Sequence, residues 1–205
     1  SIEGYTQPPE AIMTLTSSTA SGVYAIALDH YAKKIYTEAG DKIIRTEYDG
    51  SNQETIVLSV SLSSIGALVV DHAGANVYVS DFTTDKIYRA STATTPSTLV
   101  DIAATQNNVQ AMAIDPHRKL LYWNSRGDGE IRRANLDIPA GETASTRTDI
   151  EVLQNASSAT NTQTLAITST GNRMFWATRT GEIYTAPTTP KATATLIKST
   201  GLVIK

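Results

Sequence analysis

The sequence lacks several features that would place it in a familiar functional class. Its 205 residues include no cysteine, which excludes disulfides, thiolate-bound metals and cysteine nucleophiles. Its 17 basic and 20 acidic residues give a net charge of -3, so we expect no attraction for a phosphate backbone and no nucleic acid partner. No apolar run reaches the roughly 18 residues needed to cross a bilayer. We therefore expect no membrane insertion by this segment.

The sequence does contain a repeated pattern. Four short apolar clusters recur at intervals of roughly 40 to 50 residues, a period typical of propeller blades. An aromatic residue follows each cluster at the same distance, and in three units an arginine comes two positions after a recurring isoleucine. The repeat positions are the cluster ends Asp29, Asp71 and Asp115, the aromatics Tyr36, Tyr78, Tyr122 and Phe175, and the arginines Arg45, Arg89 and Arg133.

Each unit is predicted to contain four antiparallel strands. Gly and Asp residues between the aromatic and the isoleucine suit the tight turn of a hairpin. A further apolar segment closes each unit, as in Thr98-Leu99-Val100 of the second unit. No stretch has the 3.6-residue period of a helix, and four-stranded units of this length are typical of β-propellers. The sequence therefore predicts an all-β β-propeller.

The third unit resembles a known family of repeats. Its segments Leu121-Tyr122-Trp123-Asn124-Ser125 and Ile131-Arg132-Arg133-Ala134-Asn135-Leu136-Asp137 closely resemble the YWTD repeat, the class B repeat of low-density lipoprotein receptors. The first unit contains the complementary segment, Ile43 to Ser51, which ends in Asp-Gly-Ser. Related six-bladed families share parts of this pattern. The resemblance implies a six-bladed propeller that serves as an extracellular binding or structural module.

We expect about four full blades here, because six blades at this spacing need roughly 250 residues. The predicted blades are residues 20–62, 63–104, 105–158 with an insertion, and 159–200. Residues 1–19 and 201–205 are predicted as the outer strand of a preceding blade and the first strand of a following one. An open stack would expose two apolar faces. We therefore predict that the missing part of the same polypeptide, or other protein chains, completes the ring.

The predicted hairpin tips contain our candidates for contact with a partner protein. A phenylalanine lies in the second tip, where an apolar ring has little structural purpose. The third tip carries Arg-Gly-Asp, a tripeptide displayed by integrin ligands, although these residues also suit an ordinary turn, which we favour. The candidates are Phe82, Asp81, Asp85, Arg126, Asp128 and Arg179.

Some polar residues have both a functional and a structural interpretation. Asn155 begins an Asn-Ala-Ser sequon in a polar connection and is the predicted glycosylation site. His30, His72 and His117 come directly or closely after the cluster aspartates and could bind a metal. We favour the structural interpretation, in which the aspartates accept hydrogen bonds in tight turns, and we expect no zinc site.

The recurring arginines and the aromatic residues also allow two interpretations. The arginines could bind a ligand, but their fixed place after an isoleucine favours a brace between each blade and a nearby carboxylate or carbonyl. Trp123, Trp176 and Tyr24 could anchor a partner, but the blade core is favoured for the two tryptophans.

Two classes of function remain open from the sequence. Lactonase-like six-bladed enzymes hold calcium in a central channel, whereas the inner clusters here offer few oxygen ligands before their terminal aspartates. Loops on a rigid propeller suit recognition, and the long connection 137–149 is an insertion suited to contacts. We therefore predict a non-catalytic, extracellular or cell-surface scaffold without a cofactor, with a calcium-dependent hydrolase as the alternative.

Overall fold

The computed structural model describes residues 25–93, 96–155 and 157–201. The predicted flanking strand in residues 1–19, the aromatic candidate Tyr24 and residues 202–205 lie outside this part of the chain. In these ranges, sixteen β-strands form four antiparallel sheets of four strands each. The described residues contain no α-helix, and therefore none long and apolar enough to cross a membrane. The all-β prediction is confirmed.

The four sheets follow one another along the chain, with their strands hydrogen-bonded in sequence order. Blade 1 contains β1 (Ile26–Asp29), β2 (Lys34–Ala39), β3 (Lys42–Glu47) and β4 (Glu54–Ile56). Blade 2 contains β5 (Ile65–Asp71), β6 (Asn76–Asp81), β7 (Lys86–Ser91) and β8 (Val100–Ala103). Blade 3 contains β9 (Met112–Asp115), β10 (Leu120–Ser125), β11 (Glu130–Asn135) and β12 (Glu151–Gln154). Blade 4 contains β13 (Thr162–Ile167), β14 (Arg173–Thr178), β15 (Glu182–Pro187) and β16 (Thr195–Ser199).

The apolar core lies between blades. One cluster joins blades 1 and 2, a second joins blades 2 and 3, and a third joins blades 3 and 4. Tyr122 and Trp123 are adjacent in β10 and point to opposite sides of the strand, so each enters a different cluster. Burying a large apolar side chain stabilises the fold by roughly 1.5–3 kcal/mol. Each blade therefore owes its stability to its neighbours, which confirms the propeller arrangement.

Across the described strands, the ring of inner strands is open. β1, β5, β9 and β13 contact one another in that order, and no extensive contact joins β13 back to β1 in the described residues. The outermost parts of this stack expose large apolar side chains. Ile26 and Leu28 of β1 are 65% and 61% exposed, and Leu196 of β16 is 50% exposed.

The fourth strand of blade 2 lies further along the chain than predicted. The sequence predicted Thr98-Leu99-Val100, whereas β8 begins at Val100 and continues to Ala103. Ser97 pairs with the chain after blade 1, because its N–H donates to Val57 O at 2.7 Å and its carbonyl accepts from Ser59 N at 2.9 Å. The prediction was wrong because the backbone at Ser97 is hydrogen-bonded to the chain after blade 1, and β8 begins only after this pairing, at Val100.

The recurring arginines connect successive blades. Arg45 Nη1 donates to Thr92 O at 3.0 Å, and Arg133 Nη1 donates to Thr188 O at 2.9 Å. The corresponding Arg89 donates to Asp137 Oδ1 at 2.7 Å. In each case the acceptor belongs to the next blade along the chain.

The aromatic and arginine positions are also neighbours across each blade. Tyr36 is paired with Arg45, Tyr78 with Arg89 and Tyr122 with Arg133. In blade 4 the same register pairs Phe175 with Thr185, so the phenol and the guanidinium are absent together. The residues at these two paired positions therefore change together in blade 4.

Candidate functional site

The loops of the blades lie on two opposite faces, because antiparallel strands connected in sequence order alternate in direction. One face carries the hairpin tips between the second and third strands, residues 40–41, 82–85, 126–129 and 179–181. We call it the hairpin face. The other face carries the turns between the first and second strands, residues 30–33, 72–75, 116–119 and 168–172. We call it the turn face.

Three of the predicted contact residues occupy equivalent positions on the hairpin face. Phe82, Arg126 and Arg179 each follow directly after the second strand of blades 2, 3 and 4. Their backbone N–H groups donate to equivalent carbonyls, those of Ser64, Asn108 and Asn161, at 2.9, 3.4 and 2.9 Å. The repeat therefore fixes the backbone at this position, while the side chain differs from blade to blade.

The three side chains differ in how strongly the fold holds them. Arg179 is exposed, and its side chain makes no hydrogen bond or ion pair within the described residues. Arg126 is half-buried, with Nε at 3.4 Å from Asn161 Oδ1 of the next blade. Phe82 is half-buried, and its ring lies so close to Gly66 that any Cβ there would overlap it. The Phe82 ring therefore packs against the backbone of Gly66, where a larger residue would displace it.

The two aspartates beside Phe82 shape the loop. Asp81 is only 3% exposed, and its carboxylate accepts the N–H groups of Ser63 and Thr83, both at 2.8 Å. Asp85 has a positive φ of 52° and accepts the N–H of Asn108 at 3.2 Å. Both carboxylates therefore bond to the protein's own backbone and hold the tip that presents Phe82.

The Arg-Gly-Asp turn is bonded into the propeller. Asp128 Oδ2 accepts Ser125 Oγ at 2.6 Å and Arg132 Nη2 at 2.8 Å. The Ser125 hydroxyl, aided by the Arg132 charge, holds the pKa of Asp128 below its usual value although partial burial opposes the shift. Gly127 lies against the side chain of Asn107. The aspartate therefore faces its own hairpin, which is the turn role that the sequence analysis favoured.

Asn155, the predicted glycosylation site, is exposed directly after β12 ends at Gln154.

The histidines lie on the turn face. His72 Nδ1 is 2.8 Å from Asp29 Oδ2 of blade 1, and all three histidines are exposed. No group of three or more potential metal-binding side chains occurs within the described ranges.

Both tryptophans are buried. Trp123 Nε1 donates to Gln106 Oε1 at 2.9 Å, and Trp176 Nε1 donates to Ser158 O at 2.5 Å. Gln106 Oε1 also accepts Arg132 Nη1 at 2.8 Å. The sequence analysis missed Gln106, because a single glutamine in a connection carries no signal until the indole beside it is known.

The insertion 137–149 lies on the same side of the blades as the turn face, between β11 and β12. Arg147, whose side chain is 1% exposed, pairs with Asp149 at 2.7 Å and donates to the carbonyls of Ile102 and Asn135. Because Ile102 belongs to blade 2, this arginine fixes the insertion across two blades. The sequence analysis did not identify it.

A depression lies where the inner strands meet. Its lining includes Gln110 and Gln163, which are bonded side chain to side chain at 2.9 Å, with Ala67, Met112 and Leu165 around them. The described lining contains no carboxylate. The calcium site of the alternative enzyme hypothesis would thus need ligands from elsewhere.

Comparisons with known proteins identify the fold. No protein-family model matches the sequence, and no curated protein matches it. A chain from a nidogen/laminin complex is similar in structure, with a TM-score of 0.71 and 18% identity over 86% of this chain and 64% of that one. An auxiliary nutrient binding protein from Bacteroides thetaiotaomicron gives a TM-score of 0.65 and 14% identity over 89% of this chain and 43% of that one. This chain therefore spans less than two thirds of either structure.

Proposed function

We propose that this chain is part of an extracellular or cell-surface β-propeller that binds another protein without catalysis, and that the hairpin face makes the contact. The observation that carries this proposal is the placement of Phe82, Arg126 and Arg179 at one repeat position on three successive blades. Because these blades are neighbours, the three residues follow one another along the hairpin face, and we call them the row. The row combines an aromatic ring with two guanidinium groups.

The chemistry of this row suits a protein interface. Aromatic residues and arginine are enriched in interfaces and dominate their binding energy. Arg179 is exposed and unpaired within the described residues, so its five donors are free for a carboxylate or carbonyl of a partner. Phe82 adds an apolar contact held by Gly66. A partner with acidic and apolar side chains on a rigid surface fits these groups.

The remainder of the molecule supports a scaffold role. Bonds from Arg45, Arg89 and Arg133 hold successive blades together, so the loops are presented on a stiff frame. The apolar side chains exposed at β1 and β16 support completion of the ring by the missing part of the same polypeptide or by other chains. The nidogen/laminin complex is an assembly of proteins that includes a similar chain, which is consistent with this role.

The test is selective capture of a partner. The immobilised protein is exposed to a cell-surface and matrix extract of its source organism, and retained proteins are quantified by mass spectrometry. The double variant Arg126→Ala/Arg179→Ala should lower retention of the same partner about tenfold or more, as loss of an interface arginine does.

A matched control removes two positive charges from the other side of the molecule. Lys119 and Lys191 are exposed there with φ values of 56° and 57°, which asparagine tolerates. Lys119→Asn/Lys191→Asn should retain the partner at the level of the unmodified protein. Equal retention by the arginine variant, or loss only in the lysine variant, would show that the hairpin face is not the contact surface.

A further inference from the structure

The repeat aspartates on the turn face are hydrogen-bonded in blades 1 and 3. Asp29 accepts the N–H groups of Tyr31 and Ala32 at 3.1 and 2.9 Å and pairs with His72 of the next blade at 2.8 Å. Asp115 accepts the N–H groups of His117 and Arg118 at 3.1 and 3.0 Å and the Arg118 guanidinium at 2.9 Å. Each of these buried carboxylates thus has two backbone donors and one side-chain donor that can be cationic.

Asp71, the equivalent residue of blade 2, differs. It is 8% exposed, and within the described part of the chain its carboxylate has neither a hydrogen bond nor an ion pair. The residue that would correspond to His72 in the next blade is Pro116, whose ring offers no donor. Neither carboxylate oxygen is enclosed by the protein, so the charge is open to solvent or to a ligand on that side. The pairing of Asp29 with His72 is therefore not repeated between blades 2 and 3.

A cleft of about 220 Å³ opens beside Asp71, between blades 2 and 3. Ala73, Pro116 and Leu136 supply apolar wall, and the Arg89–Asp137 pair also lines it. The volume is smaller than the ~300–1,000 Å³ typical of pockets for drug-sized ligands. The cleft thus suits a short side chain or a small organic group.

We propose that this cleft binds a primary ammonium group on an aliphatic stem. The ammonium would donate to Asp71 and supply the positive charge that His72 and Arg118 can give to the other two aspartates. The stem would lie along Ala73, Pro116 and Leu136. Arg89 and Lys119 contribute positive charge to the lining, and only Asp71 and Asp137 are acidic, so a divalent cation would lack the oxygen ligands it requires.

This group could come from a free alkylamine or from a lysine side chain of a protein, since both present the same chemistry. The cleft lies on the turn face, away from the row of Phe82, Arg126 and Arg179. The inference is therefore independent of the proposed function, and either can fail without the other.

The test is an NMR titration of the ¹⁵N-labelled protein at neutral pH with two probes, n-butylammonium chloride and Nα-acetyl-lysine N-methylamide. We expect saturable shifts at the amides of Ala73, Asn76 and Leu136, with a dissociation constant on the order of 1 mM. Asp71→Asn should weaken binding about tenfold or more, because it removes a charged hydrogen bond. Binding of either probe supports the site, and a difference in affinity between the probes shows which source of the ammonium fits better.

Two variants at one position make the test specific. Pro116→His restores the residue found in blade 2 and should abolish binding, because the new imidazole would occupy Asp71 as His72 occupies Asp29. Pro116→Ala adds no donor but shortens the apolar wall, so it should weaken binding only a few-fold, far less than Pro116→His. Asp49→Asn, at an exposed aspartate in the turn after β3, controls for loss of one negative charge.

Five outcomes would overturn the proposal. The first four are the absence of saturable shifts, equal binding by the Asp71→Asn variant, equal binding by the Pro116→His variant, and the same shifts with calcium chloride alone. Binding by Lys119→Asn but not by the unmodified protein would also overturn it, because Lys119, which lines the cleft, would then be the native occupant.

Discussion

The arginine that joins blades 3 and 4 gives the most direct estimate of how strongly blades are held together. Arg133 Nη1 donates to Thr188 O of blade 4 at 2.9 Å, and Nε donates to Glu151 within blade 3 at 2.6 Å. A hydrogen bond to a charged group contributes about 1.5–3 kcal/mol. The Glu151 side chain is 48% exposed, so this ion pair is screened and contributes about 0–1 kcal/mol.

Arg133→Met should therefore lower the free energy of unfolding by about 2 kcal/mol. Urea unfolding followed by tryptophan fluorescence measures this loss, because Trp123 and Trp176 are buried in the clusters on either side of blade 3. With a urea dependence of about 2 kcal/mol per molar, the midpoint should fall by about 1 M. Glu151→Gln should shift the midpoint far less.

The control is Arg173→Met. Arg173 is exposed and bonds within blade 4, to Thr185 Oγ1 at 3.1 Å, so its loss should cost less than about 0.5 kcal/mol. Equal midpoints for Arg133→Met and Arg173→Met would refute the claim that the recurring arginines stabilise the stack of blades.

Three further predictions concern the turns. Gly171 has a φ of 63°, and a Cβ there would overlap Asp115 and Arg118, so Gly171→Ala should lower the free energy of unfolding by more than about 2 kcal/mol. Gly141 has open space around it, so Gly141→Ala should cost only about 1 kcal/mol of backbone strain, and urea unfolding measures both losses. Burial alone would raise the pKa of Asp115, but Arg118 and backbone donors outweigh it and hold this pKa below 3.8. The carboxylate therefore stabilises the fold above about pH 4, and this stabilisation is lost at lower pH. Asp115→Asn should make the free energy of unfolding less dependent on pH in this acidic range. Asp128→Glu should leave integrin-dependent cell adhesion unchanged, because the carboxylate already bonds to Ser125 and Arg132.

Each of these predictions has a clear contrary result. Equal losses for the two glycine variants would mean that the contact with Asp115 is unimportant. An unchanged acid limb after Asp115→Asn would remove this aspartate from the acid response. Loss of adhesion after Asp128→Glu would show that the tripeptide is recognised on the surface.

The repeat made the fold predictable from the sequence. The spacing of Tyr122 and Arg133 reflects their cross-strand pairing, which depends on local strand geometry and therefore leaves a regular pattern. The start of β8 was not predictable in this way, because Ser97 pairs with residues of another blade. Sequence spacing records contacts within a blade better than contacts between blades.

The candidate sites show the same limit. The sequence placed Phe82 at a hairpin tip but could not show that Asp81 beside it is buried. The unpaired state of Asp71 could not be inferred either, since it depends on Pro116 in the next blade. The role of a residue that departs from the repeat can be inferred only when its neighbours in space are known.

The most direct test of the binding account is photo-crosslinking from the hairpin face. A benzophenone amino acid is placed at Arg179 or, as a control on the turn face, at Lys119, in the protein displayed on cells of its source. The account predicts that position 179 crosslinks to one partner protein and that position 119 does not. Crosslinking of that partner from position 119 alone would contradict it.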